Sequence, residues 1–282
     1  MKNKKLIALI VALVIVVAGV VIWQTNKSAD DANVIRIGAT AAPHAEILNS
    51  DVVKNKMTEL GYTLEVVIYD GYVLENPAVS EGTDKANYFQ HQPYLDSYNN
   101  TVKEEEKLVG AFTVHYEPFG IYSNKITNLS ELQDGAKIGL PNDPSNETRA
   151  MLLLAAAGLI EVPEGANAES VITKYDITAE MNPRGFEFVE VNAELLPATL
   201  PDYAIAVING NYAIGAGLKP ATDALVLEAS DSAFATLYAN IVAVRAEDVD
   251  SEWLAALKTA LTTEEARQYM MDTYAGGVVP TF

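Results

Sequence analysis

Apolar residues along the chain fall into short β-like runs that alternate with segments of helical spacing. Val34-Ile35-Arg36-Ile37-Gly38 reads as a first strand ending at a glycine turn. Ile47, Leu48, Val52, Val53 and Met57 then recur at helical intervals, which predicts a helix from about Pro43-His44 to Gly61. Leu64 to Tyr69 is the next strand, so the chain opens on a β-α-β unit with a parallel pair. The same alternation returns after Lys137. Lys137 to Leu140 is a strand stopped by Pro141-Asn142, and Arg149 to Gly158 is an Ala/Leu-rich helix closed by glycine. Phe186 to Val191 and Tyr203 to Ile208 are strands on either side of a short helix, Glu194 to Leu200. Leu237 to Val244 is a last strand, and Glu252 to Tyr274 is mainly helical. Two α/β units predict two lobes around a cleft, with Val114 to Tyr122 and Leu237 to Val244 as the crossovers between them. No fixed-period repeat interrupts this pattern.

Composition adds compartment. The chain has 282 residues, 49% apolar and 20% charged, with a formal charge of −19. Residues 1–27 hold four lysines and no acid, which leaves 15 basic and 38 acidic residues, or −23, on the remainder. Such a surface repels nucleic acid and anionic lipid headgroups. The absence of cysteine removes disulfides, thiolate metal sites and thiol nucleophiles. Lys2, Lys4 and Lys5 precede an uncharged run of 18 residues from Leu6 to Trp23. As a helix that run spans about 27 Å, against a hydrocarbon core of about 30 Å. It predicts an N-terminal transmembrane helix with the lysines inside and the body outside. Cleavage after Ala18 is the alternative, but the run is long for a removable leader. Gln24 to Asn33 lacks periodicity and reads as a tether.

Two polar clusters stand where apolar runs stop. They are Asn142-Asp143-Pro144-Ser145-Asn146-Glu147-Thr148-Arg149 and Ile208-Asn209-Gly210-Asn211-Tyr212. In an α/β protein such positions present side chains and helix N-terminal amides at the carboxyl ends of strands. Arg149 offers a planar fork for a carboxylate, or else a surface ion pair with Glu147 or Asp143. Asn209 and Asn211 carry donors and acceptors, although Asn-Gly also suits a plain turn. Asn240 lies in an apolar strand and needs a polar partner. Catalysis has little to stand on. The three histidines are scattered at 44, 91 and 115, and no G-x-S-x-G elbow, Walker A loop or dinucleotide fingerprint occurs. No cofactor or metal is expected.

Several strings together resemble a known family. They are Gly38-Ala39-Thr40 with Pro43-His44-Ala45-Glu46-Ile47-Leu48; Asp70 with Tyr72-Val73; Ala86-Asn87-Tyr88-Phe89-Gln90-His91 with Pro93-Tyr94-Leu95; Glu117-Pro118; Pro141-Asn142-Asp143-Pro144 with Asn146 and Arg149; and Ile208-Asn209-Gly210-Asn211-Tyr212-Ala213. Residues 34–282 are similar to the methionine-binding substrate-binding proteins of ABC importers, the NlpA/MetQ lipoprotein family. The resemblance implies a two-lobe periplasmic-binding-protein fold of type II with a hinge of two crossover strands. Residues 1–27 would be the anchor and 28–33 the tether; 34–114 plus 241–282 would form lobe 1, and 115–240 lobe 2. The implied partners are methionine, an ABC permease with its ATPase subunits, and the outer face of the cytoplasmic membrane. A methionine-containing dipeptide, another apolar amino acid, or at greater distance an adhesin role are the alternatives. The implied ligand residues are Tyr72, Phe89, His91, Asn146, Arg149, Asn209, Asn211 and Asn240, with His44 and Glu117 as further candidates and His115 as a structural histidine. The chain departs from the family in having Val20 where a lipid-accepting cysteine would stand. It also has Ala41-Ala42, Gly71 and Tyr116 at positions the family fills differently.

Overall fold

A computed structural model of the protein describes residues 33–167, 169–229 and 233–282. The expected anchor and most of the tether lie outside them. Among the described residues no helix is long and apolar enough to cross a membrane.

Strand β1 (Val34–Thr40) pairs in parallel with β2 (Thr63–Tyr69), Val34 opposite Thr63 through Thr40 opposite Tyr69. This is the predicted β-α-β unit. The helix between them is broken where a continuous one was expected. Ser50 is extended at φ −60°, ψ 148°, and its hydroxyl accepts from the Val53 N–H to start α1 (Asp51–Glu59). A serine competes well for that capping position, so the helical spacing continues across a kink. Helix α2 (Glu75–Ser80) leads to β3 (Ala86–His91), all six of whose residues are buried. After α3 (Gln92–Asn99) come β4 (Leu108–Tyr116) and β5 (Gly120–Tyr122). The second α/β part contains β6 (Lys137–Pro141), α4 (Pro144–Ala156), β7 (Glu187–Val191), β8 (Ile205–Ile208), α5 (Gly210–Gly215) and β9 (Val226–Leu227). The chain ends with β10 (Ala239–Arg245), α6 (Glu252–Leu261), α7 (Glu264–Tyr274) and β11 (Val279–Pro280).

These strands form two sheets, ordered β11-β4-β10-β3-β1-β2 and β7-β6-β8-β5-β9. Each has its own core. Ile35, Ile37, Tyr88, Val242 and Val244 of the first sheet pack on Ile47, Leu48, Met57, Leu254 and Leu257. Ile121, Ile138, Leu140, Ile205 and Val207 of the second pack on Ala150, Met151 and Leu154 of α4. The chain first crosses between sheets at Glu117-Pro118-Phe119, inside the predicted crossover Val114 to Tyr122. It returns between Leu227 and Ala239. The predicted second crossover, Leu237 to Val244, therefore lies almost wholly inside the first sheet, where β10 runs antiparallel between β3 and β4. An apolar strand looks the same from sequence whether it crosses or pairs centrally. Likewise β4 continues to Tyr116 and β10 begins at Ala239, so the expected boundaries 114/115 and 240/241 fall within strands.

Candidate functional site

Helix α4 begins five residues earlier than its apolar pattern suggests. Asp143 caps it by accepting from the Asn146 N–H at 3.0 Å, and Pro144 takes the first turn. Arg149 therefore sits in the second turn, not at the helix start. Together with Asn146 it faces the end of β3 across a narrow cavity. Sheet one contributes Phe89, Gln90 and His91 from β3, Tyr94 from α3, Tyr72 from the loop after β2, and Asn240 from β10. Sheet two contributes Asn146, Arg149, Asn209, Gly210 and Asn211, and the first crossing contributes Glu117 and Phe119. All eight principal residues singled out from sequence line this one space.

The walls touch around it. His91 caps α3, its Nδ1 accepting from the Tyr94 N–H at 3.2 Å. The ring proton therefore belongs on Nε2, which donates to Asn146 Oδ1 at 3.1 Å. Asn146 in turn donates to both Asp143 oxygens at 2.9 Å. Burial, with the Arg149 charge adding to it, pushes the His91 pKa down to about 3, so the ring is neutral. A second link between walls is Tyr72, whose hydroxyl donates to Asn211 Oδ1 at 2.6 Å. Two buried polar atoms on this wall, Asn209 Oδ1 and Asn211 Nδ2, have no hydrogen-bond partner among the described residues. One is an acceptor and the other a donor. Opposite them lies an aromatic wall, with Tyr72 5.6 Å from both Phe89 and Tyr94 and 4.9 Å from Tyr212 between ring centres.

Arg149 is 2% exposed, so it is no surface arginine, and its partner is neither Glu147 nor Asp143. Its Nε donates to Glu228 at 3.1 Å to each oxygen, and Nη2 donates to Glu228 and to the Glu117 carbonyl at 2.8 Å. Burial alone would lower its pKa; the Glu228 charge more than offsets that and raises it. The two-nitrogen fork expected to meet a ligand is thus turned onto a protein carboxylate.

His44 does not reach the cavity. It is fully buried behind the wall, with Nδ1 2.7 Å from Thr40 Oγ1 and Nε2 3.2 Å from both Asn240 Oδ1 and Glu117 Oε1. Its role is to hold Asn240 and Glu117 in place. His115 bonds Glu117 Oε1 at 2.6 Å and the Tyr88 hydroxyl on its other side, as a structural histidine should. Burial pushes His44 down to about 4 and His115 to about 3, and raises the Glu117 carboxyl. Among the described residues, His44, His115 and Glu117 are a trio whose donor atoms lie within 4.8 Å of one another, as a metal would require. His115 Nε2 and Glu117 Oε1 already bond each other, and His44 Nε2 bonds Asn240. Gly210 is required where it stands, since a Cβ there would lie 2.7 Å from Glu117 Cβ.

Comparison with known proteins decides the family. The model of the NlpA lipoprotein family matches residues 35–282. The chain belongs to the NlpA lipoprotein family. It is 36% identical over 275 residues to the methionine-binding lipoprotein MetQ of Bacillus subtilis, covering 95% of this chain and 96% of that one. Among solved structures it resembles a nutrient binding protein from Burkholderia cenocepacia bound to methionine, with TM-score 0.81 and 38% identity over 88% of this chain and all of the other. It also resembles an ABC transporter periplasmic substrate-binding protein from Coxiella burnetii, with TM-score 0.79 and 36% identity over 88% of this chain and 100% of that one. The α/β class read from the sequence holds, and the two-sheet fold is that of these solved structures. Unlike a lipoprotein, this member has no cysteine to acylate. Sequence reasoning gave no role to Gln90, Tyr94 and Phe119, which line the cavity, or to Glu228, which holds Arg149. Gln90 and Tyr94 lay inside quoted strings, but their types alone assign no role. Glu228 is 79 residues from Arg149 with no motif around it, so only the fold reveals it.

Proposed function

We propose that this chain is an extracytoplasmic substrate-binding protein that captures methionine and delivers it to an ABC permease. The observation that carries this is the pair of unpartnered buried atoms, Asn209 Oδ1 and Asn211 Nδ2, on the wall that also holds Arg149. A buried acceptor and a buried donor left open suit the ammonium and carboxylate of an amino acid. Arg149 adds charge-assisted contact to the carboxylate, and Glu117 supplies a carboxyl near the ammonium. Tyr72, Phe89 and Tyr94 receive the side chain, since a thioether packs well on aromatic edges. The methionine named for the relatives fits this division into polar and aromatic walls.

The two sheets act as lobes, and the two crossings as the hinge between them. Ligand favours the closed form because it contacts both walls only when they meet. Leu6 to Trp23 anchors the protein in place of a lipid, with the body on the outer face. ATP is used by the partner ATPase subunits. Mass spectrometry of ligand released on denaturing the purified protein tests the reading. Methionine is the expected species, and a protein that neither releases nor binds any amino acid in calorimetry would sink it.

A further inference from the structure

Glu228 stands on the return crossing, away from every motif, yet among the described residues it takes three of the four hydrogen bonds that Arg149 makes. Nε bonds both of its oxygens at 3.1 Å, and Nη2 bonds it as well. The carboxylate is itself fixed by the Tyr116 hydroxyl and by the Phe119 N–H at 3.2 Å, both on the first crossing. Phe119 and Tyr238 lie 4.0 and 4.4 Å from the guanidinium carbon, on their ring faces. The guanidinium therefore has no freedom to turn. Nη1 is the one nitrogen of Arg149 without a hydrogen-bond partner among the described residues. The ion pair is withdrawn from water, with side-chain exposures of 3% and 9%, so its two charges largely cancel at the cavity. His91 is neutral, and Glu117 is the other carboxyl on the wall. A ligand bringing only a carboxylate meets no net positive charge there. A zwitterion brings its own ammonium to Glu117 and Asn209.

We propose that Glu228 is a specificity-determining positioning residue. It orients Arg149 so that Nη1 meets the ligand, and it cancels the arginine charge so that the site accepts a zwitterionic amino acid and rejects a simple carboxylate anion. This rests on the amino-acid reading above. The general basis is that a site with buried polar groups discriminates strongly against an analogue that leaves one of them unpaired.

The test is calorimetric titration of the parent, Glu228→Gln and Glu228→Asp with L-methionine and with 4-(methylthio)butanoate, which is methionine without its amino group. The parent should prefer methionine by roughly a hundredfold or more. Glu228→Asp keeps the charge and should keep that ratio within about twofold, even if both affinities fall. Glu228→Gln should narrow the ratio by about tenfold or more, chiefly because the anion binds more tightly. A purely structural role for Glu228 would weaken both ligands alike, and an unchanged ratio in a folded Glu228→Gln overturns the proposal. Circular dichroism establishes that folding. If the variant does not fold, the parent still decides: equal affinity for the two ligands overturns the proposal. A parent that binds the anion but not methionine overturns the amino-acid reading instead. In that case tighter anion binding by Glu228→Gln supports the role of Glu228, and equal binding overturns it.

Discussion

At Asn209 the folded chain leaves an amide oxygen buried and unpaired, a cost of roughly 1–3 kcal/mol that a ligand donor would remove. Asn209→Ala should therefore weaken methionine binding by about 1–3 kcal/mol while leaving the melting temperature near that of the parent. Asn240 differs, because its Oδ1 accepts from His44 within the protein. Asn240→Ala should lower affinity and stability together, since it removes one of the two acceptors beside the buried His44 Nε2. Calorimetry and thermal melts on the two variants check the contrast, and equal melting temperatures would refute it. Arg149 is constrained further by Glu228. Arg149→Ala leaves that carboxylate buried without its partner and should cost about 3–5 kcal/mol of stability. Arg149→Lys is the cleaner binding probe: it keeps the charge but cannot both hold Glu228 and present a second nitrogen. It should bind methionine clearly more weakly than the parent, and methionine amide should bind the parent poorly. Equal affinity of the parent for methionine and its amide would exclude a carboxylate role for Arg149.

Among the elements, α2 carries an unusual group in its first turn. The Glu75 side chain is fully buried, neither oxygen has a hydrogen-bond partner among the described residues, and burial pushes its pKa up to about 8 from 4.5. The folded protein thus binds more protons than the unfolded chain between those values, and stability falls as pH rises through that window, by at most about 1.4 kcal/mol per unit. Glu75→Gln should remove that fall and gain on the parent between pH 5 and pH 9 in urea unfolding. Identical pH profiles would contradict it. The buried neutral histidines act in the opposite sense: with pKa values of about 4, 3 and 3 for His44, His91 and His115, they lose stability as pH falls below 6.5. The elements show where sequence sufficed. Periodicity found β1, β2, β6 and β8 because each joins an apolar run to a clear stop, buried in β1, β6 and β8 and half-exposed in the edge strand β2. It misplaced the start of α4 because that helix opens with polar residues, Pro144 to Thr148, whose capping function hides the helical period. It missed the break at Ser50 for the converse reason, since apolar spacing persists while the backbone turns. The site followed the same rule. Asn209 and Arg149 were legible because they end motifs, whereas the Arg149–Glu228 pair exists only through the packing of two crossings.

At the scale of the whole molecule, two sheets with separate cores meet at the cavity that holds Arg149 and are joined by two crossings. Capture in such a body serves transport only if the protein stays near its permease. Relatives named as lipoproteins imply attachment through a lipid, yet this chain has no cysteine anywhere to carry one. Two routes then remain for residues 1–27, retention as a membrane helix or removal and release. The uncharged run from Leu6 to Trp23 has 18 residues, matching a hydrocarbon core of about 30 Å with little tilt. Removable leaders have apolar regions of about 7–15 residues, so this one is long for cleavage. Lys2, Lys4 and Lys5 would hold its start on the inner side, and the body, at −23, would be repelled by anionic headgroups and stand away on the tether. The mature protein should therefore keep its N-terminal lysines, carry no acyl mass, and stay with membranes through a high-salt wash that strips peripheral proteins. Deleting residues 1–27 should release a body that binds methionine as well as the full chain does. Intact-mass data showing loss of residues 1–18, together with a freely soluble body, would rule the anchor out.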